Sequence, residues 1–272
     1  MQNLLRIEKE DYQLSEGESL QDFVTLMLEY IGDPDPQLRD NLIYSTFYKW
    51  LIESNKFSNE ELQNLLSILI DDQHLLYYIG NTGDLTVLKR SFSVLPIALI
   101  LHRHLKNPFL TVTEYQSVKN ALLRYYKEEK DLRGYLHMEG WAHSAAHGAD
   151  ALEELIQCPE SDVSLQLDVL DAIKGMLHNG IYIFCEEEDE RIASIVDTMI
   201  VKKLIPYKEI TGWLIGLADC AECKGIRDQR IALINSKNFI RSLYFRREYV
   251  SIDNQLAAAL LEAEGKLNHF AI

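Results

Sequence analysis

Asp131–Ile156 reads DLRGYLHMEGWAHSAAHGADALEELI. A compact polar loop, Asp131-Leu132-Arg133-Gly134-Tyr135, and Gly140 precede a segment with helical periodicity. At about 100° per residue, His143, His147, Asp150 and Glu154 fall in one narrow stripe of that helix. Ala142, Ala145, Ala146, Ala149, Leu152 and Ile156 take the opposite side. One face is therefore small and apolar, suited to close packing, and the other carries imidazoles and carboxylates.

Outward from this stretch, nearly every segment repeats its apolar residues at helical rather than alternating spacing. Leu20, Phe23, Val24, Met27, Leu28 and Ile31 make one stripe, which Gly32 ends. Asp33-Pro34-Asp35-Pro36 follows, with Asp35 as a cap and Pro36 in a first turn that needs no N–H there. Ser58/Glu61 and Thr111/Glu114 have the spacing of capping boxes. Gly80 and Gly83 break the pattern, and a helix is expected over Leu85–Leu105, interrupted or kinked near Pro96. Further helices are expected at Tyr115–Lys127, Val163–Leu177, Asp189–Lys203, Tyr207–Cys223, Asp228–Arg246 and Asp253–Leu267. Ile181–Cys185 is the one β-like run and reads as a buried helix end. The expectation is a single all-α domain over 1–272, an α-α superhelix of about a dozen stacked helices.

Composition narrows the function. The chain has 272 residues and a net charge of −15, a field that repels phosphate backbones and argues against nucleic-acid partners. The basic run Arg241–Arg247 (RSLYFRR) reads as a solvated last turn. MQNLLRIEKEDYQL has no signal-peptide run, and no uncharged stretch approaches the roughly 20 residues a membrane span needs. A cytoplasmic protein without membrane partners is expected. Cys158, Cys185, Cys220 and Cys223 are too scattered for a disulfide framework, and Cys220-x-x-Cys223 lacks a second pair. Glu186–Glu190 reads as an acidic helix start.

Two readings of the central stripe compete with a plain solvated face. In the first, Arg133, Tyr135, Trp141, His143, His147 and Asp150 form a recognition surface for a partner protein or a small ligand. In the second, His143, His147 and Asp150 hold a divalent metal ion, and Glu154 or Asp131 serves as the base of a hydrolase. Residue 144 is Ser, so the zinc-protease HExxH motif is not matched. Arg133 has a structural alternative, pairing with Asp131 or Asp150 to hold the loop, and Trp141 has one in the core.

Two resemblances add to this. Gly32-Asp33-Pro34-Asp35-Pro36-Gln37-Leu38-Arg39 resembles one inter-helix turn of HEAT-type repeats, in which the arginine ties neighbouring units together. The run D-x-R-G-Y-x4-G-W-A-H-x2-A-H-x-A-D, on Asp131 to Asp150, resembles the signature of Domain of Unknown Function 2785, an uncharacterised bacterial family. Arg90-Ser91-Phe92 and Asp189-Glu190-Arg191 are weaker echoes. The resemblance implies an all-helical protein and supplies no activity, substrate or cofactor.

Overall fold

A computed structural model describes residues 1–219 and 225–270. The chain is all-α. Among the described residues it has twelve α-helices and a single two-stranded sheet. Cys220 and Cys223 lie outside the described residues. The chain divides into two compact units, Met1–Glu154 and Leu155–Ile272. No described helix is long and apolar enough to cross a membrane.

The first unit opens with α1 (Gln2–Lys9) and α2 (Leu20–Glu29). The DPDP turn then launches a helix of mixed winding: π over Gln37–Tyr44, α over Ser45–Tyr48 (α3) and π over Lys49–Glu53. Asp35 caps it as expected, its Oδ1 accepting from the Gln37 N–H at 2.9 Å. Trp50 is fully buried beside Phe23, and its indole N–H donates to the Tyr12 carbonyl.

Next come α4 (Asn59–Leu69), α5 (Thr86–Lys106) and α6 (Val112–Glu128). Both capping boxes form, Ser58 with Glu61 and Thr111 with Glu114. Of the interruption or kink expected near Pro96, no interruption occurs: helix α5 runs through Pro96. The missing N–H at Pro96 removes one helical bond. Burial of Val94, Leu95, Ile97 and Ala98 around it keeps the helix together through tertiary packing.

A hairpin follows, β1 (Tyr135–Leu136) antiparallel to β2 (Gly140–Trp141), and then α7 (Ser144–Leu155). The strand pair forms where a polar loop was expected ahead of the helix. Its side chains alternate as a strand requires. Leu136 and Ala142 join Val87 and Leu88 of α5 in the core, while Tyr135 and Trp141 face outward.

The second unit contains α8 (Val163–Leu177), α9 (Glu188–Val201), α10 (Tyr207–Gly216), α11 (Ile226–Val250) and α12 (Asn254–Leu267). Helix α11 packs on α8, α9 and α12. The acidic run does start a helix, with Glu188 as the first residue of α9. Ile181–Cys185 is not a helix end but an irregular segment. Side chains hold its backbone: Asn179 accepts from the N–H groups of Ile181 and Tyr182, and buried Asn235 accepts from that of Phe184. Of the arginines of RSLYFRR only Arg247 falls in the last turn, and all three are ion-paired. Helix α11 continues to Val250, and Arg241, Arg246 and Arg247 pair with Glu264, Glu190 and Asp197.

Candidate functional site

The site is the hairpin and the start of α7. The small face expected of that helix is in the core: Ala145, Ala146, Ala149 and Leu152 are each at most 1% exposed. Gly148 explains how closely α6 approaches. A Cβ there would lie 2.7 Å from Tyr126 and 3.0 Å from Tyr125. Tyr125 is fully buried, and its hydroxyl donates to the Ser144 carbonyl at 3.1 Å. Burial, with the Glu129 carboxylate nearby, holds that phenol well above its ordinary pKa.

The histidine stripe differs from expectation at its first member. Helix α7 begins at Ser144, and His143 precedes it in a left-handed conformation, φ 49°. Its N–H donates back to the Arg133 and Gly134 carbonyls, so the hairpin's pairing continues into the helix start. This geometry brings rings into sequence. Tyr135 meets Trp141 edge-on at 5.0 Å, and Trp141 stacks on His143 at 4.8 Å with planes 22° apart. His143 lies 5.8 Å from His147, which meets Phe92 edge-on at 5.3 Å. The ladder runs from exposed to buried: Tyr135 is 55% exposed, Trp141 39% and Phe92 4%. Trp141 is therefore not a core residue. His147 Nδ1 also faces the Ser91 carbonyl at 3.2 Å.

The frame beneath the ladder is ionic and buried. Asp131 is fully buried; its Oδ2 accepts from the Gly83 N–H at 2.9 Å and from Arg133 at 2.6 Å. Arg133 also reaches the Asp84 carbonyl, so the arginine holds the loop. Arg90 makes a bidentate pair with Glu129, at 2.6 and 2.9 Å, with both side chains fully buried. Glu129 Oε1 then accepts the Asp131 N–H. Two carboxylates and two guanidiniums thereby fix the loop in which the hairpin begins.

Arg39 holds the hairpin from the other side. It is fully buried, donates to the carbonyls of Asp33, Glu139 and Trp141, and lies 4.4 Å above the Phe92 ring. Its neighbour Asp40 pairs with it at 2.8 Å. Burial nevertheless pushes the Asp40 carboxyl up to about 6, against the pull of the guanidinium. Gly140 sits over this pair at φ 76°, where a Cβ would be 3.2 Å from Pro36. Both the backbone angle and the space favour glycine.

The stripe divides along α7. The two imidazoles approach each other, Asp150 is half-buried one turn on, and Glu154 meets His102 Nδ1 at 3.1 Å. Among the described residues, no group of three or more His, Cys, Asp or Glu side chains is placed to hold a metal ion. Sequence reasoning missed the roles of Arg90 and Glu129. The Arg90-Ser91-Phe92 echo was the available signal, since each of its residues touches this site.

The model of the family described as Protein of unknown function (DUF2785) matches residues 75–245, and the chain belongs to that family. The match covers the hairpin, α7 and the Arg90 segment. No curated protein and no solved structure matches the chain.

Proposed function

We propose that this chain is an intracellular binding protein that presents the Tyr135–Trp141–His143–His147 ladder to a partner protein or a small ligand, with Arg133 and Asp150 beside it. The observation that carries the reading is the contrast between outer rings and frame. Tyr135 and Trp141 are exposed, yet their backbone is fixed from below by Arg39 and by buried Asp131 paired with Arg133. Aromatic rings with little conformational freedom left to lose are efficient recognition elements. Cys185 carries an exposed thiol, which suits a reducing compartment.

A metal-dependent hydrolase using His143, His147 and Asp150 draws support from the 5.8 Å approach of the two imidazoles. Against it, Asp131 is committed to Gly83 and Arg133, and Glu154 to His102. Two measurements separate the readings. A fragment library is screened by 1H–15N correlation spectra, and the binding reading expects shifts that cluster on Tyr135, Trp141, His143 and His147. Hits confined to other surfaces would reject it. Elemental analysis after metal loading, repeated on His143→Ala plus His147→Ala, would support the hydrolase if stoichiometric metal vanished in the variant.

A further inference from the structure

The charged groups around the ring ladder are not balanced. On the β2 side, Asp33, Asp35 and Asp40 all bring their charge to bear on one guanidinium, that of Arg39, which donates to the Trp141 carbonyl. Lys89, a second cation there, shares a recess with both Asp33 and Glu29 and lies over the Tyr77 ring. On the β1 side, Arg133 bonds the buried Asp131 carboxylate and the Asp84 backbone, so two acidic residues again meet one guanidinium. Arg90 and Glu129 offset each other. Glu139 sits half-buried in the hairpin turn, and its carboxylate has no ion-pair or hydrogen-bond partner among the described residues. Negative charge therefore exceeds positive charge on both sides of the hairpin and in its turn.

Into this field the hairpin projects aromatic surface. Tyr135 and Trp141 stand at 80° to each other, both exposed, and Met138 at the turn is more exposed still. An aromatic ring attracts a cation placed over its face, and a surrounding negative field strengthens the preference. The buried end of the same ladder already holds a cation in this way, with the Arg39 guanidinium 4.4 Å from the Phe92 ring centre. The exposed end has rings and excess carboxylate, and lacks only the cation.

We propose that the partner of the ladder is a basic peptide segment, a stretch of another protein whose arginine or lysine side chains lie against Tyr135 and Trp141 and face Glu139. The inference rests on the reading of the ladder as a recognition surface and supplies the charge of what it recognises. An acidic or phosphorylated segment meets repulsion from both sides of the hairpin. A small lone cation gains only about two- to fivefold from one exposed ring. Several cations on one extended chain add such contacts, and the net charge of −15 steers them in.

The test uses the full chain and three fluorescein-labelled, glycine-spaced peptides that carry arginine, citrulline or glutamate at the same positions. Anisotropy should show saturable binding of the arginine peptide, binding of the citrulline peptide about tenfold weaker or less, and none of the glutamate peptide. The 1H–15N shifts should centre on Tyr135, Glu139 and Trp141. Tyr135→Leu keeps apolar bulk at an exposed position and removes the ring. It should weaken the arginine peptide about threefold and leave the citrulline peptide unchanged, a split that a merely structural loss would not produce. Glu139→Gln should weaken the arginine peptide about twofold. Citrulline or glutamate peptides that match the arginine peptide at the ladder would overturn the choice of a cationic partner and leave the recognition surface standing. Arginine-peptide shifts spread over other acidic faces, or an affinity unmoved in Tyr135→Leu, would overturn it as well. A ladder silent to all three peptides also overturns it, and silence to the fragment library too would remove the recognition reading beneath it.

Discussion

Arg39 donates to the carbonyl of Glu139 at 2.6 Å, joining residues 100 apart in the chain. The same Nη2 lies 3.3 Å from the Trp141 carbonyl, so one guanidinium spans the hairpin from Glu139 to β2. The arginine that follows the DPDP turn thus anchors the strand bearing Trp141. Its burial under Gly140 makes the exposed ladder depend on a residue outside the stretch that carries the rings.

Arg39→Met should destabilise the first unit by about 3 kcal/mol, because it leaves buried carbonyls and the Asp40 charge without their partner. Urea unfolding followed by tryptophan fluorescence measures this. A loss below about 1 kcal/mol would mean that the hairpin holds without the clamp.

Asp40 sets a pH dependence with a definite sign. Its folded pKa, about 6, lies above the ordinary value of 3.8, chiefly through burial. The folded state therefore binds the proton more tightly than the unfolded chain. The resulting stabilisation is complete below pH 3.8 and is lost as pH rises through about 6. Asp40→Asn should gain melting temperature relative to the parent between pH 4 and pH 7. A parent–variant difference that stays flat across that range would contradict the assignment.

Glu129→Gln leaves Arg90 charged and buried with a weaker acceptor. Removing one partner of a buried pair costs about 3–5 kcal/mol, and the neutral amide, which still accepts one bond, places this variant near the lower end. Equilibrium denaturation reads the loss. Glu129 also holds the Asp131 N–H, so NMR shifts at Tyr135 and Trp141 should move too. Unchanged shifts there would show that the ladder is insulated from the ion pair.

Ala146→Leu and Gly148→Ala probe the small face of α7. Overpacking typically costs about 1–3 kcal/mol. Gly148→Ala meets the Tyr126 ring at 2.7 Å, with Tyr125 close behind. Both variants should melt below the parent in calorimetry, and unmoved melting temperatures would place that face outside the core.

Most of the helices were legible in the sequence alone. Capping boxes at Ser58 and Thr111, and the 3.6-residue spacing of apolar side chains, are local properties of the chain, and α8 appears at the residues its pattern marks. The small face of α7 was equally legible from its alanines at fixed spacing, whereas the need for Gly148 against Tyr126 was not. Tertiary structure decided the rest. The hairpin read only as a polar loop because two-residue strands are too short to show alternation, and Leu136 and Ala142 pack it against Val87 and Leu88. His143 left the helix because the Arg133 and Gly134 carbonyls claim its N–H. Whether Arg133, Asp131 and Glu154 face a ligand or each other depends on partners 50 or so residues away, Gly83, Asp84 and His102, whose proximity no local spacing encodes.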